Sequence, residues 1–346
     1  MHEYIGCLHI HINQKINKHI PDTFWAGAQK TGLDFLILSP HTPSKKQWNN
    51  YFSLEGYKNN LLVLAGEEAD EKSRLNHLLI YGNKSWMGKQ AIENIVSQKN
   101  NSLLMFAAHP YGKHTLFGIP VSHKWTKKKL FDSITGIEVW SALFDFAEKT
   151  NPLNLPLRYL LFPNNFRGPS AATLRLWDDV VRRKKFFVGV SGLDMHFLPF
   201  FLQYLDLKKT FRFDFIFKTL RNHIFTQDKI TGDFEKDRDI VIKAFKQGRV
   251  FFANDFIADS RGFFFGSADR EKTMGDILRP EEECIVELPQ KGYINIKSDS
   301  QTIYSEETKE FVFKPHICGA WRVEVFYNGK PWIFSNHLFV QREKSC

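Results

Sequence analysis

The chain has little cysteine: Cys7, Cys284, Cys318 and Cys346 are all it carries in 346 residues. None belongs to a Cys-x-x-Cys pair and the spacing fits no disulfide framework, so reduced thiols are the simplest reading. No run of about 18 apolar residues is present, and hence no candidate membrane-spanning helix. The most apolar region, Phe186 to Leu207, is broken by Asp194, His196 and Pro199. A basic segment followed by an apolar one is missing from the start, which makes a soluble, cytoplasmic protein the expectation. Internal repeats and low-complexity tracts are absent too, which sets aside solenoids and polar tails. Acidic residues are in the minority, 38 Asp and Glu against 47 Lys and Arg, for a formal charge of +9. That balance favours an anionic small-molecule substrate or nucleic acid through long-range attraction. The cations nevertheless come in short runs, Lys127-Lys128-Lys129 and Arg182-Arg183-Lys184-Lys185, which read as solvated helix faces more readily than as a nucleic-acid stripe.

Apolar residues make up 43% of the chain, with 33 Phe among them, enough to fill a sizeable core. From Tyr4 to Asn254 short apolar runs alternate with segments of helical period, the pattern of βα units around a parallel sheet or barrel. The strand candidates are Tyr4–Ile10, Asp34–Leu38, Leu61–Ala65, His77–Tyr81, Leu103–Ala107, Gly136–Val139, Phe186–Val190 and Arg249–Ala253. Helices are expected from Pro21 to Thr31, from Lys89 to Lys99, from an N-cap at Ser170 to about Lys185, and from Asp239 to a C-cap at Gly248. Asn151 to Pro169, with four prolines and Gly168 among aromatics, reads as a long loop over the strand ends. After about Asp255 the helical period stops. Cys284–Leu288, Tyr293–Lys297, Phe311–Phe313, Trp321–Tyr327 and His337–Val340 then read as strands between turn residues. The expected division is a large α/β unit over 1–255 and a β-sandwich of roughly 90 residues over 256–346.

Chemistry is concentrated in histidines and carboxylates at the ends of these strands. In Cys7-Leu8-His9-Ile10-His11-Ile12, strand alternation sends His9 and His11 to one face and Leu8, Ile10 and Ile12 to the other. With 13 His in the chain, such a triplet is expected by chance about 0.5 times, so alone it decides nothing. It gains weight because further groups follow at later strand ends: His41, Glu67-Glu68, His77, His109, Glu138, and Asp194 with His196. Ligands gathered from successive strand ends are how a barrel builds a metal centre. His77 also fits a hydrogen-bonded core histidine, and Glu67, by alternation, faces away from Glu68. His19, His123, His223, His316 and His337 fit no element of the pattern and read as surface or local groups. Lys113 and His114 follow the His109 turn and would stand at the mouth of a site, where Arg158 and Arg167 could grip an anion.

Taken in order, His9-x-His11, Ser39-Pro40-His41, Gly66-Glu67-Glu68, the His77 strand, Ala108-His109-Pro110, Gly136-Ile137-Glu138-Val139-Trp140 and Gly192-x-Asp194-x-His196 resemble the PHP superfamily, the polymerase and histidinol phosphatase metallohydrolases. The resemblance spans about Ile5 to Ala253. It implies a distorted (β/α)7 barrel, here followed by the β-sandwich, with divalent Zn, Mn or Fe at the strand ends. It also implies that His9, His11, Glu68 and Asp194 hold one ion, that Glu68 bridges to a second held by His77 and His109, and that His41 and His196 belong to a third. Glu138 would be a ligand or a group that orients a histidine.

Two departures fall near the third position. Lys15 and Ile16 stand where a further ligand is sought, and Pro40 replaces an acidic turn residue. Two filled sites and a weak third are therefore expected. The implied reaction is hydrolysis by a metal-bridging hydroxide, of a phosphoester in the first instance, with His41 or His196 protonating the leaving group. Leu176-Trp177-Asp178-Asp179 and Pro331-Trp332-Ile333-Phe334-Ser335-Asn336 look like the carbaryl-hydrolase-like branch, which would make the substrate a carboxylic ester or carbamate. A degenerate barrel that binds metal or ligand without turnover is the third expectation.

Overall fold

The computed structural model describes residues 1–11, 20, 22–41, 44–71, 75–116, 119–148, 150–151, 153–196 and 213–341. Lys15, Ile16, His19, Pro199 and Cys346 lie outside them. The chain is a mixed α/β structure built on a curled sheet. His2–Ile10, Phe35–Leu38 and Leu61–Ala69 run parallel to one another, as do Leu104–Ala107, Gly136–Ser141 and Val188–Gly192. Leu78–Tyr81 joins the two sets and is antiparallel to both its neighbours. The curl brings residues 193–195 back to the opening strand, where Leu193 N–H donates to Leu8 O (3.0 Å) and His11 N–H to Met195 O (2.9 Å).

Both faces of this sheet are apolar, which is why its strands read as continuous apolar runs in the sequence. One parity, with Phe35, Ile37, Leu62, Leu64, Leu104 and Phe106, forms one buried cluster. The other, with Leu36, Leu38, Val63, Ile80, Met105 and Ile137, packs against the helices through Phe24, Ile92, Ile95 and Trp177. Helix Ala171–Lys184 starts at Ser170, whose Oγ accepts from Thr173 N–H, and stops at Lys185 in the left-handed region. Helix Phe234–Lys246 starts earlier than its apolar period suggests, at the N-cap Asp233.

Two expectations need correcting. Asn151 to Pro169 is not all loop, since Leu155–Leu161 is a helix held by Arg158. Leu220–Thr226 is a strand that the apolar pattern hides, because Arg221, Asn222 and His223 are buried in it. It is antiparallel to the first half of the opening strand and to Val250–Asn254. Its polar side chains are satisfied: Asn222 exchanges two hydrogen bonds with the Ser191 backbone (2.9 and 2.8 Å), and Arg221 reaches Phe217 O (2.6 Å) and Thr31 O (2.8 Å). The strands after residue 256 are hydrogen-bonded to those before it. Lys330–Ser335 pairs antiparallel with Val250–Asn254, so one hydrogen-bonded sheet runs through both regions. A separate apolar cluster, with Phe265, Val286, Ile296, Trp321 and Trp332, fills the C-terminal part and takes in Phe251 and Ala253 from the strand Val250–Asn254.

His223 fastens the rim of this assembly. Its Nδ1 lies 2.7 Å from Glu3 Oε1 and its Nε2 3.0 Å from Asp255 Oδ2, with Ser260 Oγ at 3.1 Å. Burial opposes its charge, but Asp255 and Glu3 outweigh that and raise its pKa to about 9. A raised histidine contributes its full stability below the unfolded value near 6.5 and loses it as pH climbs through 9. Chemical denaturation at pH 6, 8 and 9.5 should show an alkaline loss on the order of 3 kcal/mol in the wild type relative to His223→Gln. Parallel pH profiles for the two proteins would refute the charged pairing.

Candidate metal centre

The candidate ligands stand at one rim of the curled sheet, just beyond or within the last residues of the parallel strands. His77 reaches the same rim differently: it immediately precedes Leu78–Tyr81, so the reversed direction of that strand delivers its first end to the place where the others finish. The backbone there is strained. His9, His109 and Asp194 have φ of 59°, 28° and 49°, a region that costs a non-glycine residue on the order of 1–3 kcal/mol. At His9 the kink breaks the strand alternation. Register against Phe35–Leu38 shifts between Cys7 and Ile10, and Leu8 falls in one apolar cluster while Cys7 and Ile10 fall in the other. His9 and His11 do converge, but through this kink and not through the simple alternation expected. Gly192 leaves the necessary room, since a Cβ there would lie 1.8 Å from Glu138 Oε1 and 2.8 Å from His9 Cβ.

Glu68 is the hub. Its Oε2 faces His9 Nε2 (3.2 Å), His11 Nε2 (3.2 Å) and His41 Nδ1 (3.4 Å). Its Oε1 faces His77 Nδ1 (2.7 Å) and His109 Nε2 (3.2 Å). Asp194 Oδ1 closes the first group at 3.5 Å from His9 Nε2 and 3.2 Å from His11 Nε2. Among the described residues, three sets offer ligand atoms within 4.8 Å of one another: His9, His11, Glu68 and Asp194; His11, His41 and His196; and His41, Glu68 and His77. His77 and His109 each reach Glu68, but His77 groups with His41 rather than with His109.

The first set fits a cation on two grounds. His9 Nε2, His11 Nε2 and Glu68 Oε2 are buried without a hydrogen-bond partner, an arrangement that is costly unless something is bound among them. Donors arranged tetrahedrally about an ion at about 2.0–2.1 Å stand about 3.3 Å apart. The four separations linking the two imidazoles to the two carboxylates, 3.2 to 3.5 Å, bracket that spacing.

The electrostatics follow from burial among opposite charges. Desolvation would raise the Glu68 carboxyl, yet His41, His9 and His77 hold it well below the usual range. Asp194 is likewise depressed against its burial, by His9 and His11. His9 and His11 are buried but raised by the surrounding carboxylates. The half-exposed pair behaves oppositely: burial and neighbouring histidines lower His41, and bring His196 down to about 4.

Other expected residues take distinct places. Glu138 sits behind the ligands, with Oε1 2.8 Å from His9 Nδ1 and Oε2 accepting the His109 backbone N–H at 2.8 Å. Glu67 points to the opposite side and accepts from Asn83 Nδ2 (2.8 Å) and Met87 N–H (2.9 Å). Arg158 does not face a substrate space; it donates to Thr150 Oγ1 and to the carbonyls of Asp145 and Phe146. Lys113 and Arg167 are exposed, 3.5 and 4.0 Å from Glu148. They stand near a small groove of about 60 Å³ that runs from His109 and Glu138 past Phe144 and Lys113 to Ser170. The His114 side chain lies outside the described set. His123, set aside by the sequence pattern, is in the site: its Nδ1 is 3.3 Å from His77 Nε2. The Lys113–Leu116 and Ile119–Ser122 hairpin folds it back.

No family model matches this sequence, and no curated protein matches it. Among solved structures the chain is similar to PsfC from Pseudomonas syringae PB-5123, at 10% identity over 71% of this chain and 99% of that one, with a TM-score of 0.42. It is also similar to a two-domain protein from Bacteroides vulgatus ATCC 8482 containing a predicted PHP-like metal-dependent phosphoesterase, at 12% identity over 97% of this chain and 95% of that one, with a TM-score of 0.44. Likenesses this loose leave the reading of the site to its own residues. No helix among the described residues is long and apolar enough to cross a membrane.

Glu138→Gln keeps the shape behind His9 but removes the charge that orients its ring. Metal affinity should fall about 10–100-fold, read by chelator competition on the metal-free protein. An unchanged affinity would make Glu138 a structural group only.

Proposed function

We propose that this protein is a metal-dependent phosphoesterase of PHP type, with a distorted (β/α)7 barrel in residues 1–255 and a supporting β-rich region in 256–346. The observation that carries the reading is the buried four-donor set of His9, His11, Glu68 and Asp194, with the second Glu68 oxygen turned to His77 and His109. Divalent Zn, Mn or Fe bound there would acidify water near neutral pH and take up the charge that develops on the attacked group. Glu68 would supply the negative charge needed for two cations to be held side by side. With a cation bound, Glu138 would accept Nδ1–H of His9 and leave the Nε2 lone pair directed at the centre. His41 and His196, both lowered, are neutral near pH 7. They would serve as lone-pair donors to a third, weaker cation or as proton acceptors, which suits His196 poorly to protonating a leaving group.

The phosphoester choice rests on charge, since the +9 balance and Lys113 and Arg167 at the mouth suit an anion. A carboxylic ester or carbamate is the second reading, supported by the Phe144 ring packed 4.4 Å from that of His109. Hydrolysis of bis-p-nitrophenyl phosphate against p-nitrophenyl and naphthyl esters, with Mn²⁺ or Zn²⁺ supplied, separates the two.

Elemental analysis of protein purified without chelator should give two ions that survive dialysis. Glu68→Gln should lose at least one of them and about 100-fold or more of turnover, while Glu67→Gln should keep both. Wild-type metal content and rate in Glu68→Gln would remove the carboxylate-bridged centre.

A further inference from the structure

Six of the eleven large apolar side chains exposed among the described residues lie between 143 and 161, and all six are leucines: Leu143, Leu153, Leu155, Leu157, Leu160 and Leu161. Scattered exposed leucines are ordinary, but a cluster marks a surface that meets something apolar. Leu153 is 95% exposed and Leu157 57%. The helix within this stretch is held by the residues before it. Arg158 fixes the helix Leu155–Leu161 to the carbonyls of Asp145 and Phe146 (3.0 and 2.9 Å), and Phe162 packs edge-on against Phe146 and Phe166 at 5.4 Å. The helix it is fixed to, Ala142–Ala147, carries Phe144 onto the His109 ring and lines the groove leading to the metal centre.

Charge and composition choose the occupant. A second copy of a chain carrying +9 would be repelled. Protein contacts draw their binding energy from Trp, Tyr and Arg and under-use Leu, whereas exposed leucines beside cations suit an acyl-chain boundary under anionic headgroups. Lys113 and Arg167, 67% and 40% exposed, stand beside the carboxylate of Glu148, while that of Asp145 is buried behind Arg167, so the cations are the more exposed charges of this rim. We propose that the leucine-covered segment 143–161 docks on an anionic lipid surface and presents the mouth of the metal centre to it.

The test needs no turnover and so stands or falls apart from the proposed reaction. Full-length protein is sedimented with vesicles of phosphatidylcholine alone or mixed with phosphatidylglycerol. Binding is expected to the mixed vesicles, to weaken as salt rises, and to drop about tenfold or more in the triple variant Leu153→Ser, Leu157→Ser, Leu160→Ser, with metal content and thermal unfolding unchanged. No binding to either vesicle overturns the proposal, as does a concentration-dependent dimer abolished by the same variant. A marked fall in the unfolding temperature of the variant would also overturn it, because the leucines would then be packed against this chain.

Discussion

Glu68 is a buried carboxylate with five imidazoles about it, and much of the molecule answers to that. One oxygen faces His9, His11 and His41, the other His77 and His109. An isolated carboxylate buried this deeply would take up a proton, because desolvation penalises the charged form by several kcal/mol. Here the imidazoles reverse that outcome and keep the anion. Every residue of its strand, Leu61–Ala69, is buried, so the neighbouring Glu67 cannot simply face solvent. It is met by Asn83 and by the Met87 backbone. A pair of adjacent glutamates in a buried strand is tolerable only when each side of the sheet has its own answer to the charge.

Holding several imidazoles at one point requires backbone that a regular sheet does not supply. Residues at positive φ, His9, His109 and Asp194, turn the side chains inward, and ordinary pairing immediately beside them opposes relaxation. Met195 N–H donates to His9 O, and His109 N–H is tied to Glu138. Strain of this kind persists where surrounding structure over-determines it. Glu138 serves both ends, meeting a ring nitrogen of His9 and the backbone N–H of His109.

The parallel strands were legible because both their faces are buried, so each appears as an unbroken apolar run. The histidines and carboxylates that meet at the rim were legible as a group because they sit where those runs end. Ser170 and Gly248 were legible as local chemistry, a hydroxyl cap and a positive φ of 67°. What could not be read depends on distant partners. The kink at His9 is set by Gly192 and Glu138. The reversed direction of Leu78–Tyr81 leaves no trace in its composition. Leu220–Thr226 looked unlike a strand because its buried polar groups find partners more than thirty residues away, at Ser191, Glu3 and Asp255. His123 belongs to no motif, because a hairpin rather than a strand end brings it to His77.

The C-terminal region is tied to the same logic. Asn336 exchanges hydrogen bonds with both backbone groups of Gly189 (2.8 and 2.7 Å), in the strand that leads to Asp194. Arg322 holds Asp178 through two bonds (2.7 and 2.9 Å), and His337 adds a third at 3.1 Å. A charge pair this deeply buried adds little net stability over apolar packing, but losing one member costs about 3–5 kcal/mol. These bonds join the C-terminal strands to helix Ala171–Lys184. Asn336 fixes the strand delivering Asp194, so the region that carries none of the candidate ligands helps to set where one of them stands.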